Sequence, residues 1–468
     1  MTARPGARAD VEPGDRPGPM PSFDTAREIT RRLRRAGHEA YLAGGCVRDM
    51  LLGRPPADYD IATSATPDQV RALFPRTIEV GAAFGVVRVA ADDGEYEVAT
   101  FRTEGPYLDG RHPSSVRYAS AREDALRRDF TINGLFSDPD TGDVLDFVGG
   151  RADLAARIVR TIGDPAVRFA EDRLRMLRAV RQAAELGFEI ASETLDALRR
   201  LREGLRGVSP ERVRDELVRI VTGPDPARAF ALLRDTGLLE VILPEVAAEV
   251  GVAQPEAFHP EGDVFEHTRL ALGHLRRPSV TLAMATLLHD IGKPPTFERG
   301  DRIRFNRHDE VGAAMARRVM ERLRFSRREA DGVAGLVARH MVFKDLPQMR
   351  EARLRRLLAD EAFPELLELH RADCLASHGD LSTYEWARAR LARLAGEPPV
   401  PPRLVTGHDL LALGLAPGPR IGQILRAVED ARLEGRVRTR EEALALARDL
   451  AGHPAPPADA SSRQHGGR

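Results

Sequence analysis

The pattern of apolar and polar positions changes about a third of the way along the chain. In the first part, strand-like apolar runs at 40–43, 59–63, 85–90 and 96–101 alternate with helical stretches such as 47–52. Strands that alternate with helices in this way, up to about residue 146, predict an α/β domain with a mixed sheet.

After Gly149-Gly150 the apolar residues recur at the spacing of amphipathic helices. Helices are predicted over 173–186, 191–201, 211–221, 227–235, 281–288, 310–323 and 330–340. The last two thirds of the chain is therefore predicted to be all-α.

Proline-rich and polar stretches divide the chain further. The predicted segments are a disordered tail at 1–22, an α/β head at 23–150, a helical neck at 151–255, a second helical domain at 256–395, a helical C-terminal tail at 396–452 and a disordered end at 453–468. The first segment lacks the apolar core of a secretory signal, and no apolar run is long enough to cross a bilayer. We therefore expect a cytoplasmic protein with no membrane partner.

The composition excludes a disulfide framework and shows a large excess of arginine over lysine. The 468 residues carry a formal net charge of -1, and Cys46 and Cys374 are too few for a disulfide framework. Of the 70 lysines and arginines, only Lys293 and Lys344 are lysine. Genomic bias explains the excess of arginine, but arginine also suits bidentate contact with phosphate. Local RNA-binding faces are thus compatible with a neutral chain.

The head contains a glycine pair followed by an aspartate pair. Gly44 and Gly45 lie between a predicted strand and a helix, where a backbone without side chains approaches phosphate closely. Asp58 and Asp60 are two residues apart, so a strand would present both carboxylates on one face. Such hard oxygen ligands hold Mg²⁺ ions that bridge nucleotide phosphates. An ordinary turn and two surface aspartates are the alternative.

The order and spacing of these motifs resemble the signature of class II nucleotidyltransferases, the family of tRNA CCA-adding enzymes and bacterial poly(A) polymerases. The motifs are 44–49 (GGCVRD), 51–54 (LLGR) and 58–60 (DYD), then 97–102 (EVATFR), 107–113 (YLDGRHP, similar to the family's flexible loop) and 127–133 (RRDFTIN, similar to its ribose-binding motif). The resemblance implies a polymerase-β-like head.

The resemblance also implies roles for individual residues. Asp58 and Asp60 would be the catalytic Mg²⁺ ligands, with Glu97 as a candidate third carboxylate unless it is merely solvated. Asp129 would receive the ribose 2′-hydroxyl. The nucleotide-binding set in the head would be Gly44, Gly45, Arg48, Arg102, Arg128, Asp129 and Asn133.

A segment of the neck resembles the family's base-reading motif, 171–175 (EDRLR). Asp172 and Arg175 are three apart and would share a helix face. The carboxylate accepts from the exocyclic amine of cytosine or adenine, and the guanidinium donates to the ring nitrogen, whereas uracil and guanine would face like groups. A surface ion pair is the alternative. The resemblance also implies that Arg178 contacts the bound nucleotide. Gly134 and Gln182 depart from the family's usual residues.

The second helical domain resembles the HD phosphohydrolase superfamily. His267, the dipeptide His289-Asp290 and Asp373 follow in the superfamily's order. Imidazole with carboxylate suits a divalent transition metal or Mg²⁺, whose bound water would attack a phosphate ester. Three neighbouring residues are candidates for a second metal or a phosphate: Lys293, His308 and His340. An inactive spacer domain is the alternative.

Together these features predict addition of C and A to the 3′ end of tRNA from CTP and ATP, with a metal-dependent phosphohydrolase activity in the HD domain. A poly(A) polymerase or an enzyme that adds only A remains open. A rival of another class is an HD phosphohydrolase whose head only binds substrate. In the C-terminal tail, 418–422 (GPRIG) would contact RNA phosphate or simply cap a helix. The sequence leaves the oligomeric state open.

Overall fold

The computed structural model describes residues 21–79, 85–105, 116–256, 259–394 and 400–452. The chain divides into two compact units, Met1–Ala247 and Ala248–Arg468. Most of the two predicted disordered ends, residues 1–20 and 453–468, and the predicted flexible loop at 107–113 lie outside the described residues. The tail prediction of 1–22 extends too far, because Ser22 caps the first helix and donates to Asp93 at 2.6 Å.

The head is built on one mixed sheet. Its strands are β1 (Ala40–Ala43), β2 (Ile61–Thr63), β3 (Thr77–Glu79), β4 (Val86–Ala91), β5 (Gly94–Thr100), β8 (Leu135–Ser137) and β9 (Val144–Asp146), and a separate pair is formed by β6 (Arg102–Glu104) and β7 (Val116–Tyr118). The order of the seven-stranded sheet is β3-β4-β5-β2-β1-β8-β9. Within the described part of this sheet, β2 and β5 are the only neighbouring strands that run parallel. The predicted mixed-sheet head is therefore confirmed.

Successive side chains of a strand point to opposite faces of a sheet, and here each face packs into its own hydrophobic core. Leu42 packs in one core with Ile29 and Leu33, and the next residue, Ala43, packs in the other with Phe136. The helices of the head are α1 (Phe23–Arg35), α2 (Gly45–Leu51), α3 (Pro67–Leu73), α4 (Ala121–Arg127) and α5 (Gly150–Ala156). A short 3-10 turn, Thr131–Asn133, precedes β8.

The rest of the first unit is mainly helical. Its helices are α6 (Pro165–Glu171), α7 (Arg175–Leu186), α8 (Ser192–Leu201), α9 (Pro210–Val221), α10 (Pro226–Thr236), α11 (Leu239–Ile242) and α12 (Pro244–Ala247). A small parallel pair, β10 (Ile158–Val159) with β11 (Glu189–Ile190), also lies here. The all-α prediction missed this pair because each strand is too short for its alternation to be visible.

The second unit contains the HD region and a C-terminal helical group. Its helices are α13 (Val264–Gly273), α14 (Val280–Leu288), α15 (His308–Arg322), α16 (Arg327–Arg339), α17 (Glu351–Leu358), α18 (Phe363–Ala376), α19 (Ser382–Arg393), α20 (Gly407–Ala412), α21 (Pro419–Leu433) and α22 (Arg440–Ala451). A hairpin of β12 (Phe297–Arg299) and β13 (Ile303–Phe305) is a second exception to the all-α prediction. Its turn at Gly300-Asp301 is a recognisable signal.

The C-terminal helices α20, α21 and α22 enclose a core of their own, in which Leu410, Val428 and Ala447 are buried. In the part of the chain that the structure describes, no helix is long and apolar enough to cross a bilayer.

Candidate functional site

A cavity of about 730 Å³ in the first unit brings the predicted head and neck residues together. Its lining includes Gly44, Gly45, Arg48, Asp58, Asp60, Glu97, Arg102, Arg128, Asp129, Asn133, Asp172, Arg175 and Arg178. These residues span some 130 positions of sequence and come from the β1–α2 turn, the sheet, the 131–133 turn and the start of α7. The cavity also contains residues that sequence reasoning did not single out: Arg181, Glu185 and Arg212.

Three carboxylates lie together at the start of β2 and on the neighbouring strand β5. Asp58 and Asp60 precede β2, which begins at Ile61 and not at residue 59 as predicted. Their backbone is nevertheless continuous with the sheet, because the Ala43 amide donates to the Asp60 carbonyl at 3.0 Å. The parallel register pairs Ile61 with Val98, which places Glu97 beside Asp60.

The electrostatics of this carboxylate group favour a cation. Burial, followed by the charges of Asp58 and Glu97, raises the pKa of Asp60 to about 7 against the opposing effect of Arg128. Carboxylates that repel one another in this way are relieved by divalent metal, and oxygen is the ligand that Mg²⁺ prefers. Asp58, Asp60 and Glu97 thus fit a Mg²⁺ site.

The backbone conformation at position 44 favours glycine. Its φ of 76° lies in the left-handed region, which other residues avoid. A Cβ there would also approach the Arg128 guanidinium at 3.0 Å. The turn between β1 and α2 therefore brings bare backbone to the cavity beside Arg128 and Asp60.

A hydrogen-bonded network surrounds the predicted ribose-binding residues. The Asn133 amide donates to Asp129 at 3.1 Å and to Gln182 at 3.0 Å, and its oxygen accepts from Arg48 at 3.0 Å. Arg178 lies 2.6 Å from the second oxygen of Asp129. Burial opposes ionisation of Asp129, but Arg178 and Asn133 hold its pKa below the ordinary value. Asp129 is therefore fixed as a carboxylate.

Asp124 organises the arginine pair that precedes this network. It is buried, and its oxygens accept from Arg127 at 2.6 Å and from Arg128 at 3.0 Å. Burial would raise the pKa of Asp124, yet the two guanidinium groups hold it below the ordinary value. The sequence contains one signal for this arrangement, since Asp124 lies three residues before Arg127 on α4 and four residues before Arg128, which follows the helix.

The base-reading prediction needs a correction in its geometry. Asp172 and Arg175 do not share a helix face, because α6 ends at Glu171 and α7 begins at Arg175. Asp172 has extended backbone, and its carboxylate accepts from the Leu174 amide at 3.1 Å. Both side chains still line the cavity. The helix prediction over 173–186 was two residues too long at its start.

Asp172 and Arg175 each form hydrogen bonds with residues other than one another. Asp172 accepts from Arg212 of α9 at 2.8 Å. Arg175 donates to Glu171 at 2.6 Å and to the Arg127 carbonyl at 3.3 Å. Arg212 was missed because it lies 40 residues from Asp172 and no local pattern links the two.

A second cavity, of about 600 Å³, lies in the second unit. Among the residues that line it are the predicted HD residues His289, Asp290, Lys293, His308, His340 and Asp373. His267 is fully buried behind them. Lys344, the other lysine of the chain, also lines this cavity, as does Arg304.

The predicted HD ligands converge. The Nε2 atom of His267 lies 3.1 Å from Asp373 and 3.3 Å from the Nε2 atom of His289, which is itself 3.2 Å from Asp290. Burial opposes protonation of His267, but the carboxylates of Asp373 and Glu261 raise its pKa to about 9. This set of two imidazoles and two carboxylates fits a divalent metal.

Two side chains support this cluster: Glu261, which was not predicted, and Lys293, which the sequence offered as a candidate for a second metal or a phosphate. Glu261 accepts from His267 Nδ1 at 2.7 Å, which directs Nε2 toward the cluster. Lys293 donates to Asp290 and to Gln254, both at 2.6 Å. The ammonium of Lys293 is therefore a partner of the Asp290 carboxylate.

Comparison with protein-family models assigns four stretches of the chain. Residues 40–160 match the poly A polymerase head domain, and residues 187–250 match the model described as "Probable RNA and SrmB- binding site of polymerase A". Residues 263–377 match the HD domain, and residues 403–447 match domain 2 of tRNA nucleotidyltransferase.

Individual relatives agree with these models. An A-adding tRNA nucleotidyltransferase of Deinococcus radiodurans is 38% identical over 87% of this chain and 94% of its own length. The CCA-adding enzyme of Geobacillus thermodenitrificans is 48% identical over 47% of this chain, and the match spans about half of that relative, 54%.

A solved structure extends the likeness to the fold. The Bacillus stearothermophilus CCA-adding enzyme in complex with CTP superimposes with a TM-score of 0.70 and 30% identity, covering 92% of this chain and 98% of that chain. The match to this structure and the match to the D. radiodurans relative each extend over the head, neck and HD regions. The chain therefore belongs to the class II tRNA nucleotidyltransferase family, the family of the CCA-adding enzymes.

Proposed function

We propose that this protein adds C and A nucleotides from CTP and ATP to the 3′ end of tRNA. The observation that carries the proposal is the single cavity in which a carboxylate group, a ribose network and the candidate base-reading pair meet. A cytoplasmic location stays the prediction made from the sequence.

The residues divide the work of nucleotidyl transfer. Asp58, Asp60 and Glu97 would hold Mg²⁺, which supplies activation of the attacking 3′-hydroxyl and stabilisation of the pyrophosphate leaving group. Asp129, kept ionised by Arg178, accepts a hydrogen bond from the ribose 2′-hydroxyl. Arg128, anchored by Asp124, presents positive charge beside the Gly44 turn for the triphosphate.

Base choice would come from Asp172 and Arg175. A carboxylate and a guanidinium complement the Watson–Crick edges of cytosine and adenine, and mismatch those of uracil and guanine. Because Arg212 and Glu171 already hold these groups, the pair is oriented before a nucleotide enters. Preorganised contacts of this kind lower the cost of binding.

Loss of either aspartate tests the transfer proposal. Asp58→Ala and Asp60→Ala should abolish incorporation of radiolabelled CTP and ATP into tRNA transcripts, with the fold intact by circular dichroism. Asp68→Ala is the matched control, since Asp68 is exposed on α3 and pairs with Arg71. Normal incorporation by either site variant would refute the metal role of that residue.

Competing triphosphates test base reading. Asp172→Ala and Arg175→Ala should admit UTP and GTP while slowing chemistry less, because one good bidentate contact is worth about 1–3 kcal/mol of discrimination. Retention of the full preference for C and A would refute the role of the pair.

A-only addition is the second candidate function. It is favoured by the D. radiodurans relative, an A-adding tRNA nucleotidyltransferase that matches 87% of this chain. The two functions differ on tRNA that lacks all three terminal nucleotides, which only a C-adding enzyme extends.

For the second cavity we propose metal-dependent hydrolysis of phosphate esters such as a 2′,3′-cyclic or 2′-phosphate. The support is the buried cluster of His267, His289, Asp290 and Asp373, whose donor types match a catalytic metal site. Lys344 and Arg304 at the cavity wall provide positive charge for the phosphate. A cyclic phosphate blocks the 3′-hydroxyl that nucleotide addition needs, so the two activities are chemically compatible.

Phosphodiester cleavage tests this second activity. The wild type, loaded with Ni²⁺, Mn²⁺ or Mg²⁺, should hydrolyse 2′,3′-cyclic AMP, and His289→Ala or Asp290→Ala should lose the activity. His408→Ala is the control, since His408 is an exposed histidine on α20. If the metal-loaded wild type shows no hydrolysis above background, the hydrolase proposal is refuted and the domain has only a structural role.

A further inference from the structure

Thr131, which opens the 3-10 turn before β8, is held by hydrogen bonds at both its amide and its hydroxyl. The amide donates to the Arg160 carbonyl at 2.9 Å. The hydroxyl donates to the Asp153 carboxylate of α5 at 2.7 Å, and Thr131 is buried. A buried hydroxyl with a carboxylate partner is costly to displace, because it would lose that partner without gaining water.

The Asp153 carboxylate is fixed in turn by the side chain of Arg160. The Nε atom of Arg160 lies 3.1 Å and 3.2 Å from its two oxygens. Arg160 also forms an ion pair with Glu193 of α8. Thr131, Asp153 and Arg160 therefore form a closed ring of hydrogen bonds, in which the position of each member depends on the other two.

The same stretch of chain holds Asp129. The Ile162 amide donates to the Asp129 carbonyl at 3.1 Å, and Phe130 pairs with Thr161 in an antiparallel bridge. The segments 129–131 and 160–162 thus lie side by side, so the ring fixes the end of the segment that begins at Asp129.

Helix α5 contacts the turn at a second point. A Cβ at Gly150, the first residue of α5, would lie 2.9 Å from the carbonyl carbon of Thr131. The helix start therefore packs directly on the turn backbone, and Asp153 reaches the Thr131 hydroxyl from the same helix. Together the two contacts set the position of the turn relative to α5.

The ring lies behind the nucleotide cavity. Asp129 and Asn133 line the cavity of about 730 Å³. Thr131 and Arg160 line a different cavity, of about 260 Å³, with Glu193. Asp153 therefore acts on a nucleotide only through the turn that it holds.

We infer that Asp153 is a positioning residue for the selection of ribonucleotides, acting through the Thr131 hydroxyl. The inference rests on the proposed role of Asp129 at the ribose 2′-hydroxyl. Two residues after Thr131, the Asn133 amide donates to Asp129 at 3.1 Å, so a shifted turn displaces the carboxylate that accepts from the ribose. A deoxynucleotide makes no such contact and is insensitive to the shift.

The test measures kcat/KM for ATP and for dATP on tRNA transcripts that end before the final A, a substrate for both candidate functions. Thr131→Val keeps the β-branched shape and removes the hydroxyl. The preference for ATP over dATP should fall about fivefold, the factor expected for the loss of one hydrogen bond. Thr131→Ser, which restores the hydroxyl, should return the wild-type preference.

A double-mutant cycle assigns the effect to Asp153. Asp153→Ala should also lower the preference, and the double variant with Thr131→Val should fall no further, because both changes break the same hydrogen bond. Thr30→Val is the matched control. It removes a buried hydroxyl from α1, which donates to the Ala26 carbonyl at 2.9 Å, and should leave the preference unchanged.

A folded Thr131→Val protein with the wild-type preference would overturn the inference and leave the role of Asp129 intact. Equal losses with ATP and dATP would also overturn it, because they indicate a general structural defect. A wild type that uses dATP as well as ATP would refute the ribose role of Asp129 and the inference with it.

Discussion

At the scale of single residues, Asp60 shows what sequence and structure each contribute. Its spacing from Asp58 predicted a metal ligand, but its burial and the approach of Glu97 are properties of the folded sheet. Glu97 itself was only a candidate, because 37 positions separate it from Asp60 and the parallel pairing of β2 with β5 is not visible in the sequence.

The raised pKa of Asp60 predicts a pH-dependent affinity for divalent metal at the head site. Since Asp60 must be ionised to bind a cation and its pKa is about 7, protons compete with metal below pH 7. The dissociation constant for Mn²⁺ should be about tenfold higher at pH 6 than at pH 8. Calorimetry on Asp290→Ala, which disables the HD site, measures it. An affinity that is constant over this range would contradict the prediction.

Position 182 is a glutamine where an aromatic residue is common in the family, and in the structure Gln182 takes part in the network around Asp129. Its side-chain oxygen accepts from Asn133 at 3.0 Å, and Asn133 in turn donates to Asp129. Gln182→Leu would leave a buried donor without its acceptor, at a cost of about 1–3 kcal/mol. We expect the preference for CTP over dCTP, measured as a ratio of kcat/KM values, to fall about tenfold.

Gln182→Glu is the matched control, because it retains an acceptor at the same position. If Gln182→Leu kept the wild-type ratio of CTP to dCTP, the network would not orient Asp129.

At the scale of elements, long periodic helices were predictable and their ends were not. The pattern at 173–186 predicted α7 closely, yet it began two residues early, within the break between α6 and α7 where Asp172 has extended backbone. That break depends on tertiary contacts, since Asp172 is fixed by Arg212 of α9 and Arg175 by Glu171 of α6. Local periodicity contains no information on such partners.

The contact between α9 and the break predicts a role for Arg212 in base selection. Arg212→Ala removes the 2.8 Å hydrogen bond that orients Asp172. Incorporation of UTP relative to CTP should rise about tenfold, with a smaller effect on the rate of CTP addition. Arg214→Ala is the control, because Arg214 pairs with the adjacent Asp215. If Arg212→Ala and Arg214→Ala showed the same ratio of UTP to CTP incorporation, Arg212 would have no role in base selection.

At the scale of the whole molecule, the two candidate metal sites lie in separate units of one chain. The sequence predicted the α/β head, the helical remainder and both sets of candidate residues, largely through the order of the motifs. It did not predict the supporting residues Asp124, Arg212 and Glu261, because their partners are set by packing.

Separate units predict independent activities. His289→Ala should lose hydrolysis of cyclic AMP and add nucleotides at the wild-type rate, whereas Asp58→Ala should show the reverse. Parallel assays of both variants measure this, and the loss of both activities in either folded variant would contradict it.

The central claim, addition of C and A to tRNA, is tested most directly with three transcripts that end before CCA, before CA and before A. Each is incubated with the protein, all four ribonucleoside triphosphates and Mg²⁺, and the 3′ ends are sequenced. The account predicts that all three finish with CCA and that UTP and GTP are not incorporated. Extension of only the transcript that lacks the final A would show A-only addition, and no extension of any transcript would contradict the account altogether.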